Sequence, residues 1–323
     1  MHKTRVLITT DVEIWPDAWD RMGAGDFRDS FRKYIHGDTP LGPYGLPFQM
    51  QVLDDHGLVG VFMVESLFAC AFGLGPLEEI VGMIQERGHE VQIHAHPEWV
   101  DKIDPPILPG RHGHQFHEYD RVDQRHLLAL ARDNLVQAGA RDLTAFRAGN
   151  FGADNETLQM LSEVGIGIDS SYNYAYLGST CRIRADAPLR HPQQMNSVLE
   201  VPMTCFRDGL GRYRHLQVGS CSLPEMTQVL EDAYRGGAET VVLLSHGFEL
   251  LTPSKRRRDP VVVRRFRGLA QYLDQHRDRF VTQGFHALSP TAGTSPEHDT
   301  DIQIPLIPTL YRYAEQIGRR AFR

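Results

Sequence analysis

Apolar residues recur along the chain with helical spacing in some stretches and with strand-like alternation in others. Helical stripes predict three helices, over 75–88, 123–139 and 222–237, the last beginning with the capping-box spacing of Ser222 and Glu225. A short apolar run that predicts a strand follows each helix, and these runs are 91–96, 145–150 and 241–246. This alternation predicts an α/β fold with a mostly parallel sheet.

The first apolar run of the chain ends in two acids. Asp11 and Glu13 follow the segment Val6–Thr10, which predicts a strand. Side chains two residues apart on a strand share a face, about 7 Å apart along the backbone. Two carboxylates on one face repel each other unless a cation or a proton lies between them. The pair therefore indicates a site, and two solvated acids at a surface strand end are the alternative.

A second strand ends in two histidines. In the predicted strand 91–96, His94 and His96 alternate with apolar residues and share one face, and Pro97 ends the ladder. Two imidazoles with a carboxylate from elsewhere match the ligand set of a catalytic zinc site. Hydrogen-bonded surface histidines are the alternative.

Three further apolar runs end in a polar residue and a turn, and they are Phe146–Gly152, Gly167–Tyr172 and Val241–Gly247. Together with the acid pair and the histidine pair, this ordered set resembles the NodB-homology polysaccharide deacetylases, carbohydrate esterase family 4. The resemblance covers roughly residues 4 to 290 and is closest to a branch seen as cytosolic proteins of exopolysaccharide pathways. It implies an irregular (β/α) barrel of about seven strands, with the motifs at the carboxyl ends of strands. The domain would span 1–290, and 291–323 would form a C-terminal extension with a terminal helix.

The resemblance implies a divalent metal, expected to be zinc, with Glu13, His94 and His96 as its ligands. The family usually has an aspartate where this chain has Glu13, and its second histidine usually lies four residues after the first. Here that position is Glu98, so Glu98 is the alternative ligand to His96. Imidazole is the better zinc ligand, which favours His96.

The resemblance also assigns catalytic roles. Asp11 would act as the general base, and Arg147 would pair with it and hold it ionised. His246 would protonate the departing amine, and Asp169 would tune that histidine. The expected substrate contacts are Trp15, Asn150 and Tyr172.

Charge narrows the class of substrate. The net charge of −7 argues against a general nucleic-acid binder, which needs a basic face. The stretch 255–279 runs against this balance, with nine Lys or Arg and three Asp or Glu. Its start, Lys255–Arg258, is either a solvated loop or a contact for an anionic substrate such as a phosphate or a uronic acid.

We expect a cytoplasmic protein, because no leader precedes the first strand and no apolar run approaches the roughly 20 residues that span a bilayer. The four cysteines show no Cys-x-x-Cys spacing and are expected to be reduced thiols. The expected partner is an acetylated sugar or glycan precursor inside the cell, phosphorylated or lipid-linked. A metal amidohydrolase acting on a non-sugar amide and a non-catalytic carbohydrate-binding protein are the alternatives.

Two other segments allow more than one interpretation. The loop 112–117 contains three histidines. They either contact the substrate or pack within the loop, or they bind a second metal. Near the C-terminus lies a helical stripe of Leu310, Tyr313, Ala314, Ile317 and Ala321. Four arginines fall outside it, and they are Arg312, Arg319, Arg320 and Arg323. The stripe predicts a docked terminal helix or a basic helix at a membrane surface.

Overall fold

The structure is a computed structural model that describes residues 2–15, 19, 22–288 and 301–321. The chain forms two compact units. The first comprises Met1–Gly60, Thr204–Gln283 and Ser295–Arg323, and the second comprises Val61–Met203 and Gly284–Thr294.

The strands are β1 Thr4–Val12, β2 Asp38–Thr39, β3 Gly42–Pro43, β4 Gly60–Glu65, β5 Glu90–Ala95, β6 Ala145–Ala148, β7 Ile168–Asp169, β8 Gln193–Met195, β9 Val198–Glu200, β10 Cys205–Arg207, β11 Tyr213–His215, β12 Thr240–His246 and β13 Phe280–Thr282. The α-helices are α1 Ala24–Phe31, α2 Leu46–Asp55, α3 Ala69–Phe72, α4 Gly75–Gln85, α5 Arg121–Gln137, α6 Asn155–Glu163, α7 Leu223–Arg235, α8 Pro260–Gln275 and α9 Leu306–Ala321. Within these described residues, no helix is both long enough and apolar enough to cross a membrane.

The first unit is built on β1, which pairs in parallel with both β12 and β13. Both faces of β1 are buried, as its apolar sequence predicts for a parallel strand. The register places Asp11 directly beside His246, at the carboxyl ends of β1 and β12. Two motifs that are far apart in the sequence therefore meet at one strand end.

The second unit contains five parallel strands in the order β4, β5, β6, β7 and β9, and β8 pairs with β9 in the antiparallel direction. The register pairs His94 with Arg147 and Phe146 with Asp169, so three motifs lie at adjacent strand ends. The helices α4 and α5 confirm the predictions for 75–88 and 123–139. The predicted α/β class, with parallel strands alternating with helices, is confirmed.

The helix α7 begins as its sequence predicts. The Ser222 side chain accepts a hydrogen bond from the Glu225 backbone N–H, and the Glu225 carboxylate accepts one from the Ser222 N–H at 2.8 Å. These reciprocal bonds satisfy two N–H groups that the first turn leaves without helical partners. The capping box is therefore confirmed.

The terminal helix α9 packs within the first unit, as predicted for a docked helix. The prediction of which side of the helix is buried is wrong. Arg312, expected outside the stripe, is 2% exposed, and its guanidinium lies 2.9 Å from the Glu225 carboxylate and 2.8 Å from that of Asp208. Two buried carboxylates need a cation, and this requirement decides which side of α9 is buried. The division of the chain at residue 290 stays a prediction.

Candidate active site

The first unit brings Asp11, Glu13 and His246 together at the ends of β1 and β12. We call these three residues the acid cluster. Each of them offers one ligand atom, and these atoms lie within 4.8 Å of one another. Asp11 and Glu13 are 3% and 6% exposed, so their mutual repulsion is poorly screened by solvent. The cluster can therefore hold a proton or a cation.

Carboxylates surround His246. Its Nδ1 lies 3.9 Å from the Glu249 carboxylate and 3.3 Å from the Gln217 amide nitrogen. Burial by itself lowers the pKa of His246, but the bond to Glu249 and the charges of Glu13, Glu249 and Asp11 outweigh it and raise that pKa to about 9. The imidazole therefore carries a proton at neutral pH and can act as an acid.

Two further side chains near His246, which the sequence did not indicate, form hydrogen bonds around it. Gln217 donates a hydrogen bond to Glu249 at 2.6 Å, and Gln49 donates to the carbonyl oxygens of His246 and Gly247 at 2.8 and 3.0 Å. Glu249 lies three residues after His246, a spacing that could have indicated an acidic partner. Gln217 and Gln49 come from distant segments and leave no such signal.

Trp15 contacts the acid cluster directly. Its indole N–H donates a hydrogen bond to Glu13 Oε2 at 2.6 Å. A substrate contact by Trp15 stays a prediction. The structure gives Trp15 the additional role of fixing the Glu13 carboxylate.

The second unit places His94 and His96 side by side at the end of β5, with ring centroids 4.9 Å apart. Both are almost fully buried, at 1% and 2% exposure. The Nδ1 of His94 lies 2.8 Å from the backbone oxygen of Arg147. Because a carbonyl oxygen only accepts, Nδ1 carries a hydrogen, and Nε2 is the nitrogen that could bind a metal when the imidazole is neutral, as in metal-ligating histidines generally.

Glu65, at the end of β4, is a second residue that sequence reasoning missed. It is fully buried, and its carboxylate accepts hydrogen bonds from the backbone N–H groups of His96 and Leu67. Burial raises the pKa of Glu65 to about 7, against the opposing charges of His96 and His94. A lone acid at the end of an apolar strand has no spacing that marks it. Glu65 nevertheless fixes the backbone that carries His96.

Glu98 lies next to His96, and its carboxylate is 3.4 Å from His96 Nδ1 and 3.5 Å from His114 Nδ1. We call His94, His96, Glu65 and Glu98 the histidine cluster. The other two histidines of the 112–117 loop have separate partners, since His112 lies 2.9 Å from Asp101 and His117 lies 3.1 Å from the Thr180 carbonyl oxygen. The three loop histidines thus do not share one partner.

Arg147 and Asp169 are both fully buried in the second unit. Arg147 donates to the backbone oxygen of Ser170 at 3.1 Å, and Asp169 accepts from the Ser171 hydroxyl at 2.8 Å. Burial raises the pKa of Glu200 well above its ordinary value, and the charge of Asp169 raises it further. Burial likewise raises the pKa of Asp169, and the positive charge of Arg147 opposes that rise.

The other two predicted substrate residues lie in different surroundings. Asn150 is exposed and adopts a left-handed backbone conformation with φ of 54°. Tyr172 is buried, and its hydroxyl accepts from the Leu189 N–H at 3.3 Å. It borders an open cavity of about 750 Å³ that Tyr174, Arg182 and Arg184 also line.

Comparison with known proteins finds likeness at the level of structure. No family model and no curated protein matches the chain. It is similar to the family 4 carbohydrate esterase from Streptomyces lividans solved in complex with acetate, with 12% identity, 92% of this chain and 100% of that chain covered, and a TM-score of 0.45.

Two further solved structures are deacetylases. The Bc1960 peptidoglycan N-acetylglucosamine deacetylase shares 14% identity, with 92% and 91% of the two chains covered and a TM-score of 0.45. The chitin deacetylase from the fungal pathogen Colletotrichum lindemuthianum shares 13% identity, with 92% and 94% covered and a TM-score of 0.42.

Proposed function

We propose that the chain is a metal-dependent hydrolase that removes acetyl groups from a sugar-containing substrate. The observation that carries the proposal is the acid cluster, in which Asp11, Glu13 and His246 gather their ligand atoms within 4.8 Å at one strand end. Two nearly buried carboxylates beside an imidazole are a set of groups that binds a cation and moves protons.

Glu13, His94 and His96 are the proposed metal ligands, with Glu98 as the alternative to His96. The chemistry of the donors fits a divalent cation, because buried carboxylate and imidazole groups are the nitrogen and oxygen ligands of catalytic zinc. Hydrogen bonds to two of the proposed ligands, one in each unit, support the assignment. Trp15 donates to Glu13 and fixes its carboxylate, and the Arg147 carbonyl oxygen orients His94. When bound, the cation would polarise the acetyl carbonyl and lower the pKa of a water molecule.

The chain's own residues supply a proton acceptor and a proton donor for hydrolysis of an amide. Asp11 accepts the proton of the attacking water as the general base. His246, flanked by Glu249 and Gln217, donates a proton to the leaving amine. Arg147 and Asp169 are proposed to support Asp11 and His246, and their contacts described above lie within the second unit.

The proposed substrate is an acetylated sugar or glycan precursor, contacted by Trp15, Asn150 and Tyr172. The cavity beside Tyr172 is large enough for a small ligand, whose sites usually measure about 300–1,000 Å³. A location inside the cell and a phosphorylated or lipid-linked form of the substrate stay predictions.

Metal analysis of purified variants tests the ligand set. If Glu13 and His94 bind the same ion, Glu13→Ala and His94→Ala should each lower the zinc content of the protein from one ion per chain to nearly none. Asp54→Asn, an exposed acid on α2 in the first unit, is the matched control and should retain the metal. The assignment would be contradicted if the wild-type chain bound no zinc. It would also be contradicted if only one of the two variants lost the ion.

An acetate-release assay on N-acetylated and O-acetylated sugars tests the activity itself. The wild-type chain loaded with zinc should release acetate, and the same chain stripped with a chelator should not. Release from simple acetamides but not from sugars would instead indicate an amidohydrolase. Sugar binding without release would indicate a binding protein.

A further inference from the structure

The open cavity of the second unit, about 750 Å³ in volume, is lined by a single stretch of chain. We call it the loop cavity, and its lining residues all lie between positions 172 and 188, after β7 and before β8. Sites for small organic ligands usually measure about 300–1,000 Å³, so the volume suits a molecule larger than a single ion. Tyr174, which is half-buried, and Leu177, which is exposed, contribute apolar surface to its lining.

Two arginines of this stretch lie on the same side of the chain. Cys181 and Ile183 are fully buried, whereas Arg182 and Arg184 are exposed and line the loop cavity. Such alternation is typical of extended chain, in which every second side chain shares a face. The two guanidinium groups are therefore presented together at the cavity.

Hydrogen bonds near the start of α6 hold the backbone that carries both arginines. The Arg182 N–H donates to the Ala153 carbonyl oxygen at 2.9 Å. The Asn155 side chain accepts from the Arg184 N–H at 2.7 Å and donates to the Arg184 carbonyl oxygen at 3.0 Å. Because the backbone is already fixed, less conformational entropy is lost when the two side chains order around a ligand.

The positive charge of the loop cavity is not cancelled by a neighbouring acid. In the part of the chain that the structure describes, neither Arg182 nor Arg184 forms a salt bridge. Among the residues that line the cavity, Asp186 is the single acid, and it is exposed. Burial lowers the pKa of His117, and the charge of Arg182 lowers that pKa further. The cavity therefore attracts anions.

The basic stretch that the sequence indicates as an anion contact is less available. The Lys255 ammonium lies 4.2 Å from the centroid of the Phe248 ring, and the Arg258 guanidinium donates to the Tyr44 hydroxyl at 3.0 Å. Both cations thus have partners in the first unit. The arginines of the loop cavity keep their donors for a ligand, and a guanidinium matches the paired oxygens of a carboxylate or a phosphate.

We propose that the loop cavity binds an acidic sugar of the glycan, with Arg182 and Arg184 on its carboxylate or phosphate oxygens and Tyr174 against its ring. The aromatic side chain presents a flat apolar face to the ring. A neutral sugar would gain this contact but not the contacts with the two arginines. The proposal deepens the proposed function and rests on it for the sugar, whereas the requirement for a negative charge comes from the cavity itself.

Ligand-observed NMR titration of the full chain measures binding apart from turnover. The probes are N-acetylglucosamine and its 6-phosphate, glucose and glucuronic acid, and inorganic phosphate. At least one acidic sugar should bind at least about tenfold more tightly than its neutral parent, because hydrogen bonds to charged groups are among the strongest. The acidic sugar with the larger preference distinguishes a phosphate from a carboxylate. Inorganic phosphate should bind more weakly than the sugar phosphate, because it lacks the ring.

Variants of opposite charge effect test the residues. Arg182→Gln/Arg184→Gln should remove most of the preference for the acidic sugar, and Asp186→Asn should increase it, because one repulsive charge is lost. The matched control is Arg125→Gln/Arg141→Gln, which removes two exposed arginines of the same unit and should keep the preference. Added salt should weaken binding of the acidic sugar more in the wild type than in the first variant. Circular dichroism of all variants should match the wild type, because the substituted side chains are exposed.

Equal binding of acidic and neutral sugars by the wild-type chain overturns the proposal. A preference that survives Arg182→Gln/Arg184→Gln, or that the control loses equally, overturns it too. Inorganic phosphate that binds as tightly as the sugar phosphate overturns the assignment to a sugar. The two proposals of the article fail separately. A charge preference without acetate release from any sugar overturns the hydrolase alone, and acetate release without a charge preference overturns the acidic-sugar site alone.

Discussion

The acid cluster and the histidine cluster hold their reactive groups in place by different means. In the acid cluster, charges balance one another: Asp11 and Glu13 face a protonated His246, and Trp15 donates to Glu13. In the histidine cluster, hydrogen bonds to backbone groups hold the residues in place. His94 donates to the backbone oxygen of Arg147, and Glu65 accepts from the backbone N–H of His96. The first arrangement should therefore respond to changes of charge and the second to changes of shape.

The largest effect should come from neutralising one acid. Asp11→Asn keeps the volume of the side chain but cannot accept a proton, so turnover should fall roughly 10²- to 10⁴-fold while the metal is retained. Acetate-release rates and metal content measured on the same preparation check this, with Asp54→Asn as the control. Loss of the metal with turnover per bound ion unchanged would instead make Asp11 a ligand.

A smaller effect should come from adding one methyl group to the second unit. A Cβ at Gly149 would lie 2.4 Å from His96 Nδ1, so Gly149→Ala must displace that imidazole. Metal affinity should fall about 10- to 100-fold, as it does when the support of a ligand is disturbed. Gly82→Ala, on α4 with no neighbouring atom within 4 Å, is the matched control, and competition with a zinc chelator provides the measurement. Equal affinities of the two variants would show that the contact has no effect.

Trp15→Phe should separate the hydrogen bond from the aromatic surface. The phenyl ring keeps an apolar side chain but cannot donate to Glu13, and a bond to a charged group contributes about 1.5–3 kcal/mol. We expect metal affinity to fall about tenfold with KM nearly unchanged. A raised KM with unchanged metal affinity would favour the substrate contact that the sequence predicts.

The smallest effect concerns stability at acid pH in the first unit. Burial lowers the pKa of His215 to about 4, so this imidazole is neutral in the fold, and it lies 2.8 Å from the Gln217 side-chain oxygen. A depressed pKa contributes stability that is fully present above the unfolded value of about 6.5 and is lost as pH falls toward 4. His215→Gln should remove up to about 3 kcal/mol of the fall in unfolding free energy across that range. Urea unfolding of the wild type and of His215→Gln at pH 7 and pH 4.5 measures the difference. An equal fall in unfolding free energy in both proteins would contradict the prediction.

Sequence reasoning was most successful where one segment carried its own pattern. The spacing of Asp11 and Glu13 needed only the two-residue period of a strand, and the structure gathers both with His246. Glu65 and Gln217 were missed because each acts through a partner far away in the chain. No period in the local sequence records such a contact.

The helix α9 shows the same limit in another form. The spacing of its apolar residues predicts a helix and shows which side is apolar. It does not show which side is buried. That choice depends on Arg312 and its carboxylate partner Glu225, 87 residues earlier. The hydrophobic pattern alone favoured the wrong side, because a buried ion pair outweighed it.

The pairing of β1 with β12 has a consequence for how the chain is assembled. The Thr9 hydroxyl bonds to the Leu243 carbonyl oxygen across 234 residues, and the whole parallel ladder spans a comparable distance. Contacts between such remote segments form slowly, because a long loop must close before any pairing energy is gained. During synthesis, the apolar strand β1 emerges before β12 and lacks this neighbour until β12 follows, a state in which exposed strand edges are prone to aggregation. Asp11 meets His246 only after β12 has left the ribosome, so the acid cluster forms late in folding.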